Sequence, residues 1–380
     1  MHVGITTFGA DAGRSGIGRY VTQLLRHLPV GDDVRADVLA HASECAGLQV
    51  PGHMPVLPVS ELARPAAANV AWHGAVLPSW CRRHRWDVVL ATAANRRLPF
   101  GLSCPTVGVV HDLAAARVAG KYSGSRQLYV SRVVPRLVPR LTQVITVSEA
   151  SRADILALCD VDPARVHVVP NGVDHAAFHP GDRDRARWAL RALGFFKPFI
   201  LYVARIEHPG KNHVTLIEAF GDLKRRTGLP HELVLVGADW NGATRVRADA
   251  SRSPVADDIR FAGFVPGDML PTFYQAADAV AFPSLYEGFG LPVLEAMASG
   301  VPVTCANTSS LPEVAGSAAL LFEPTDAGQL SAHLERLLTD AVEAVARRAA
   351  GLARAQAYSW AGTAARTLDI LKRASQDRSC

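Results

Sequence analysis

The sequence is poor in the features that mark metal-binding, secreted or membrane-spanning proteins. Its six cysteines, at 45, 81, 104, 159, 305 and 380, form no CxxC pair and no disulfide-like spacing, so a reduced, cytoplasmic protein is expected. No stretch reaches the ~20 apolar residues of a membrane-spanning helix. The opening Met1-His-Val-Gly-Ile-Thr-Thr-Phe8 runs straight into a strand-like segment without the basic and long apolar regions of a secretory leader. There is no His/Cys cluster and no Asp-x-Asp in a metal-binding setting, so neither a metal nor any other cofactor is expected. The first strand is followed by Ser15-Gly-Ile-Gly18, which is not a G-x-G-x-x-G fingerprint, and no acidic ribose reader follows the second strand. A dinucleotide site is therefore disfavoured. No RNA-binding signature or basic-aromatic platform is present, which excludes nucleic acid as a partner.

Lysine is scarce, five among 40 basic residues, and the net charge is +5. Arg132, Arg136 and Arg140 recur at a spacing that would share one helix face, with Pro135 and Pro139 interrupting the segment. They leave peripheral contact with an anionic membrane open.

What is present is the rhythm of a two-domain α/β protein. At 380 residues the chain exceeds what one core usually supports. Short β-rich runs alternate with helical patterns in both halves, the pattern of parallel sheets with covering helices. Strands are predicted at His2–Thr7, Val34–Ala40, Asp87–Ala91, Thr106–Val110, Gln143–Val147 and Val166–Val169. A second set lies at Pro198–Val203, Glu232–Val236, Ile259–Phe261, Asp278–Phe282, Pro302–Thr304 and Ala318–Leu321. The expected domains are 1–175 and 176–358, with the last helix, about 359–380, crossing back to the first. Such proteins bind ligands just beyond the carboxyl ends of their strands.

The most informative segment is Asp278-Ala-Val-Ala-Phe-Pro-Ser-Leu-Tyr-Glu-Gly-Phe-Gly-Leu-Pro-Val-Leu-Glu-Ala-Met-Ala-Ser-Gly300. A strand ends at Phe282, a glycine-bearing turn follows, and a helix is predicted over Leu291–Ser299. Gly288 and Gly290 let the backbone approach a ligand, and Phe289 and Leu291 frame a helix start whose free N–H groups suit a phosphate or sugar oxygen. Glu287 lies on the turn. Glu295 lies one turn into the helix, where its carboxylate suits two neighbouring hydroxyls such as those of a ribose. Arg205 and Lys211 flank a Pro-Gly turn after another strand, a pair suited to phosphate. Two surface glutamates or two solvated cations would account for either pair alone. They do not account for the Gly-Phe-Gly-Leu insert and the downstream Ala-Ser-Gly-Val-Pro-Val.

These motifs resemble those of the family 4 glycosyltransferases, which have the GT-B fold, two Rossmann-like domains with parallel sheets facing across an interdomain cleft, and transfer sugars with retention of configuration. The resemblance extends over nearly the whole chain. It includes Ser15-Gly-Ile-Gly-Arg-Tyr20, Val110-His-Asp-Leu113, Val147-Ser-Glu-Ala-Ser151, Val169-Pro-Asn-Gly-Val-Asp174 and Tyr202-Val-Ala-Arg-Ile-Glu-His-Pro-Gly-Lys-Asn212. It implies metal-independent, front-face transfer of a hexosyl or amino-hexosyl unit from a nucleoside-diphosphate sugar, UDP- or GDP-linked, to an acceptor hydroxyl. Arg205 and Lys211 would neutralise the diphosphate, and His111 would lie close to the transferred sugar. Glu287 would hold sugar hydroxyls on this view; a nucleophilic carboxylate of the kind retaining glycosidases use is the alternative, and the sequence alone does not decide between them. Gly16 would bring backbone amides near the distal phosphate. Gly237, Phe264 and Val265, on loops that end two strands, would read the nucleobase through backbone groups. The acceptor is expected to be a lipid-linked or cell-envelope glycan, or a small natural-product core such as an aminocyclitol. Three rivals share parts of the pattern: a nicotinamide dehydrogenase, a GT-B sugar-nucleotide epimerase, and a non-catalytic sugar-binding protein.

Overall fold

The computed structural model describes residues 1–11, 15–99, 101–118, 120 and 124–377. The chain divides into two compact units. The first is built from Met1–Ala116, Gly124–Gly172 and the chain from Trp360 onward, the second on Val173–Ser359. The first holds a seven-stranded sheet with order β3-β2-β1-β4-β5-β6-β7. Its strands are β1 (His2–Thr6), β2 (Arg35–His41), β3 (Val56–Val59), β4 (Val88–Ala91), β5 (Thr106–Val110), β6 (Gln143–Thr146) and β7 (Val166–Val168). The second holds a six-stranded sheet, β10-β9-β8-β11-β12-β13. Its strands are β8 (Phe199–Val203), β9 (Glu232–Val236), β10 (Ile259–Gly263), β11 (Ala279–Phe282), β12 (Val303–Ala306) and β13 (Leu320–Phe322).

Every strand pair in both sheets is parallel. Strands covered on both faces read as apolar runs. The central β4 (Val-Val-Leu-Ala) and β11 (Ala-Val-Ala-Phe) are buried at every position. Both sheets reverse their winding once. In the first unit the switch lies between β1 and β4, and in the second between β8 and β11. At such a point successive connections leave to opposite sides, and a crevice opens at the strands' carboxyl ends.

The structure departs from the sequence reading in three places. It adds β3, an edge strand paired with β2. Pro58 hid it, because proline cannot donate to a ladder and is tolerated only at an edge. The segment carrying Arg132, Arg136 and Arg140 stays helical despite its prolines, as a π turn (Tyr129–Val133), an α turn (Val134–Leu137) and a 3-10 turn (Val138–Arg140). The prolines have no N–H to give, and the bonding pattern changes from π to α to 3-10 around them while the backbone stays helical. Finally, the cysteines are not all unpaired. Cys81 and Cys104 are joined in the core of the first unit, among Phe8, Trp72, Trp86 and Val89. A helix packed on the sheet brings the two together, a proximity that their spacing does not announce.

The helix Trp360–Gln376 belongs to the first unit and buries Trp360, Ala364, Leu368, Leu371 and Ala374. Its Thr363 hydroxyl donates to the Pro170 carbonyl at 2.7 Å, and Trp360 meets Tyr20 edge-on with ring centroids 6.1 Å apart.

In the second unit Asp278 closes the lower end of the sheet. Its carboxylate takes both Arg183 and Arg187, the latter at 2.8 Å, and accepts the Phe199 amide at 3.2 Å. Replacing it strands two half-buried guanidinium groups. Asp278→Ala should lower stability by about 2 kcal/mol, read as a drop in the urea midpoint with an unchanged slope.

Candidate active site

The winding reversal between β8 and β11 gathers the strongest sequence motifs. Beyond β8 the chain runs through Arg205, Glu207 and Lys211 before the helix His213–Thr227. Glu207 is fully buried and pairs with the Arg205 guanidinium at 3.0 Å. The other side of that guanidinium lies over the Trp240 indole, 4.8 Å from the ring centroid. Arg205 is thus held between an anion and an aromatic face rather than left to sweep through solvent. Burial pushes the Tyr202 phenol far above its ordinary range, so it stays protonated and donates to the Lys211 carbonyl at 2.7 Å. Its single proton is used there, so the Ser284 hydroxyl, 3.1 Å away, must donate to it.

Beyond β11 the turn Pro283–Gly290 carries Glu287, whose carboxylate takes the Lys211 ammonium at 2.5 Å. Both side chains are largely buried, at 13% and 16% exposure, so the attraction is only weakly screened. The two loops are also stitched through the main chain. The Leu285 amide donates to the Gly210 carbonyl at 3.0 Å, and the Asn212 side-chain amide to the Pro283 carbonyl at 3.0 Å. Gly290 adopts φ 106° and caps the helix Leu291–Ala298; a Cβ there would come within 2.8 Å of Leu311. No other residue suits that junction. Phe289 and Leu291 are buried and Gly288 is half-buried. Glu295, also buried, accepts the Tyr274 hydroxyl at 3.1 Å.

A third loop, after β12, supports the second. The Ser309 hydroxyl accepts the Glu287 amide at 2.9 Å, and the Ser310 hydroxyl lies 3.0 Å from the Glu287 carbonyl and 2.8 Å from that of Phe289. The loops after β9 and β10 meet through the Gly237 amide, which donates to the Gly263 carbonyl at 2.8 Å. Any Cβ on Gly237 would fall on the Ala204 carbonyl. Phe264 is 58% exposed and Val265 half-buried.

The structure therefore brings Lys211 and Glu287 into direct contact, with Gly288, Phe289, Gly290 and Leu291 on the same loop and helix start. Arg205 contacts Glu207 and Trp240. Sequence reasoning passed over Glu207, Trp240, Ser309 and Ser310. The only signal for the serines was the polar run Asn307-Thr-Ser-Ser310 after a strand, which reads as an ordinary turn.

His111 and Gly16 belong to the first unit. Gly16 opens the helix Gly16–His27, capped by the Ser15 hydroxyl, which accepts the Gly18 amide at 3.1 Å. His111 follows β5 and reaches to the Thr92 carbonyl beyond β4 at 2.8 Å. A carbonyl only accepts, so Nε2 carries the proton and Nδ1 is left as an acceptor. Burial brings the imidazole down from its ordinary 6.5 to about 4, against the opposing pull of the Thr92 bond and Asp112. Asp112 itself accepts the Ala114 amide at 3.1 Å and shapes the turn. Among the described residues no three His, Cys, Asp or Glu side chains are grouped as a metal would need, and no helix is long and apolar enough to cross a membrane.

The neutral state of His111 has a consequence for stability. The unfolded chain binds a proton there below pH 6.5 and the folded chain only below about 4, and His73, also near 4 through burial, acts the same way. Stability of the first unit should therefore be full above pH 6.5 and fall as the pH drops toward 4, by about 2 kcal/mol per group at pH 5. Urea midpoints at pH 7 and pH 5 check this, and His111→Gln should flatten the slope.

Comparison with known proteins follows the same division of the chain. Residues 191–353 match the family model for glycosyl transferases group 1, and residues 14–177 match that for glycosyltransferase family 4. The O-antigen chain mannosyltransferase B of Escherichia coli is 29% identical over 94% of this chain and 96% of its own. The D-inositol 3-phosphate glycosyltransferase of Kineococcus radiotolerans is 32% identical over 79% of this chain and 69% of its own. Among solved structures, Anabaena HepE in complex with UDP and glucose matches with a TM-score of 0.76 at 19% identity, over 97% of this chain and 99% of that one. That likeness concerns the fold, which is GT-B. The chain belongs to the group 1, family 4 glycosyltransferases, and it is an enzyme of sugar transfer.

Proposed function

We propose that this enzyme moves a hexosyl unit from a UDP- or GDP-linked sugar to an acceptor hydroxyl, with retention and without a metal. The observation that carries the reading is the Lys211–Glu287 pair at 2.5 Å, placed at a winding reversal beside a glycine-started helix. A cation, a carboxylate and the positive end of a helix in one place answer the three parts of a nucleotide sugar's reacting end. Lys211 and Arg205 take the diphosphate, as does the amino end of the helix Leu291–Ala298, and Glu287 takes sugar hydroxyls. Glu295 holds the ribose, and the loops at Gly237, Phe264 and Val265 hold the base.

In the reaction the bond between the anomeric carbon and the β-phosphate oxygen breaks, and its electron pair goes to the phosphate. Lys211, Arg205 and the helix dipole stabilise that developing charge. The acceptor oxygen bonds to the same face of the anomeric carbon, and its proton passes to the departing phosphate. Glu287 orients the sugar and forms no covalent intermediate. His111, neutral and with Nδ1 as an acceptor, is assigned to the transferred sugar by the family resemblance. The Escherichia coli relative is named a mannosyltransferase, and Anabaena HepE was solved with UDP and glucose, so mannosyl and glucosyl donors are the first to test. The relatives' names, an O-antigen chain and an inositol phosphate, favour a carbohydrate or polyol acceptor over an antibiotic core.

Purified protein should release nucleotide from one UDP- or GDP-sugar in the presence of an acceptor, with a chelator making no difference. A strict divalent-metal requirement would overturn the metal-free mechanism, isomerised nucleotide sugar without transfer would favour an epimerase, and a product of inverted configuration would remove the front-face step. Lys211→Ala should lower kcat/KM by about a thousandfold, through loss of transition-state charge stabilisation. Retained turnover in that variant would sink the diphosphate assignment.

A further inference from the structure

Glu287 sits on a turn with glycines at 288 and 290, a backbone with little stiffness of its own. Nonetheless both of its peptide groups are held. Its N–H donates to the Ser309 hydroxyl at 2.9 Å, and its C=O shares the single Ser310 hydroxyl proton, at 3.0 Å, with the Phe289 carbonyl. Ser310 is fully buried and also lies 2.8 Å from the Phe289 carbonyl, and Thr308 donates to the Leu285 carbonyl at 3.2 Å. Three consecutive hydroxyl residues on one loop thus bind the main chain of another at residues 285, 287 and 289. Fixing the amide and the carbonyl of one residue fixes the direction of its Cα–Cβ bond. Here that bond aims the carboxylate at Lys211.

The backbone of Ser309 is itself unusual. It has φ 49°, in the left-handed region where a side chain other than glycine or asparagine is uncommon. A glycine would adopt this turn with less strain, but it would bring no hydroxyl to the Glu287 amide. The strained conformation is what lets Ser309 and Ser310 address the same neighbouring residue.

We propose that Ser309 is a positioning residue for Glu287. Through the Glu287 amide it holds the carboxylate in the orientation that receives the donor's sugar, and Ser310 braces the same turn from its carbonyl side. The proposal rests on the reading of Glu287 as the group that holds the sugar. It makes Ser309 a determinant of how strongly the enzyme distinguishes a nucleotide sugar from the bare nucleotide, with no contact of its own to either.

Ser309→Gly isolates the hydroxyl, because it removes the oxygen while relieving the backbone. Calorimetric titration would use UDP-glucose and GDP-mannose against UDP and GDP, on the wild type, Ser309→Gly, Ser309→Asn, Glu287→Gln and the double variant Ser309→Gly/Glu287→Gln. In Ser309→Gly the thermal midpoint should hold or rise, affinity for the bound nucleotide sugar should fall about tenfold, and affinity for the bare nucleotide should stay within about twofold. Ser309→Asn, which accepts a left-handed backbone and keeps an acceptor oxygen, should recover part of the loss. In the Glu287→Gln background the Ser309→Gly change should have no further effect, since both act through one carboxylate. Equal weakening of nucleotide and nucleotide sugar, wild-type behaviour of Ser309→Gly, or losses that multiply in the double variant would each overturn the positioning role. If Glu287→Gln itself leaves the sugar-dependent part of the affinity intact, the reading of Glu287 falls and this proposal falls with it. A loss in Glu287→Gln with none in Ser309→Gly removes the positioning role alone.

Discussion

Lys211 and Glu287 are separated by 76 residues and meet at 2.5 Å, and most of what surrounds them holds those two loops in register. The strands that deliver them, β8 and β11, are neighbours in the sheet only because the chain winds out through β9 and β10 and then returns to the other side of β8. A main-chain bond from Leu285 to Gly210, the Asn212 side-chain bond to Pro283 and the Ser284–Tyr202 hydroxyl bond tie the loops before any charge is counted. The ion pair therefore forms between preplaced groups and loses little side-chain freedom in forming. That preorganisation is what electrostatic catalysis of phosphate departure requires.

Two further acids near this pair are buried, Glu207 and Glu295. Glu207 is fully enclosed and gives the Arg205 guanidinium its counter-charge, while Trp240 covers the opposite side of the same group. A long arginine with two fixed neighbours presents its remaining N–H groups in a defined direction. Glu295 is likewise buried and hydrogen-bonded to Tyr274, so its carboxylate is oriented from within the helix. Arg205 gives the buried Glu207 carboxylate a counter-charge, and the Tyr274 hydroxyl gives the buried Glu295 carboxylate a hydrogen-bond donor.

The motif residues were legible because their chemistry is local. Gly290 must take a left-handed turn at the start of a helix, Pro292 fits the first turn, and a glycine-bearing turn after an apolar run signals a close backbone approach. The rhythm of β-rich runs and helices revealed twelve of the thirteen strands among the described residues for the same reason, since most of these runs reflect burial on both faces. Val56–Val59 escaped because Pro58 sits on an edge, where the usual rule against proline does not hold. The pairing of Cys81 with Cys104 escaped because only the packing of a helix on the sheet brings them together. Ser309 and Ser310 escaped because a hydroxyl in a turn looks the same whether it faces water or a neighbouring loop.

By itself, then, the sequence determined the α/β class, the motifs and their order, because these follow from periodicity, turn chemistry and residue type within a few positions. The winding reversal that makes β8 and β11 adjacent, the contact between Lys211 and Glu287, the enclosure of Arg205 and the two serines under the Glu287 turn were decided only by the tertiary structure. Apart from the Arg205–Glu207 pair, two residues apart, each joins residues distant along the chain and depends on parallel strands placed side by side by crossovers whose order local propensity does not encode.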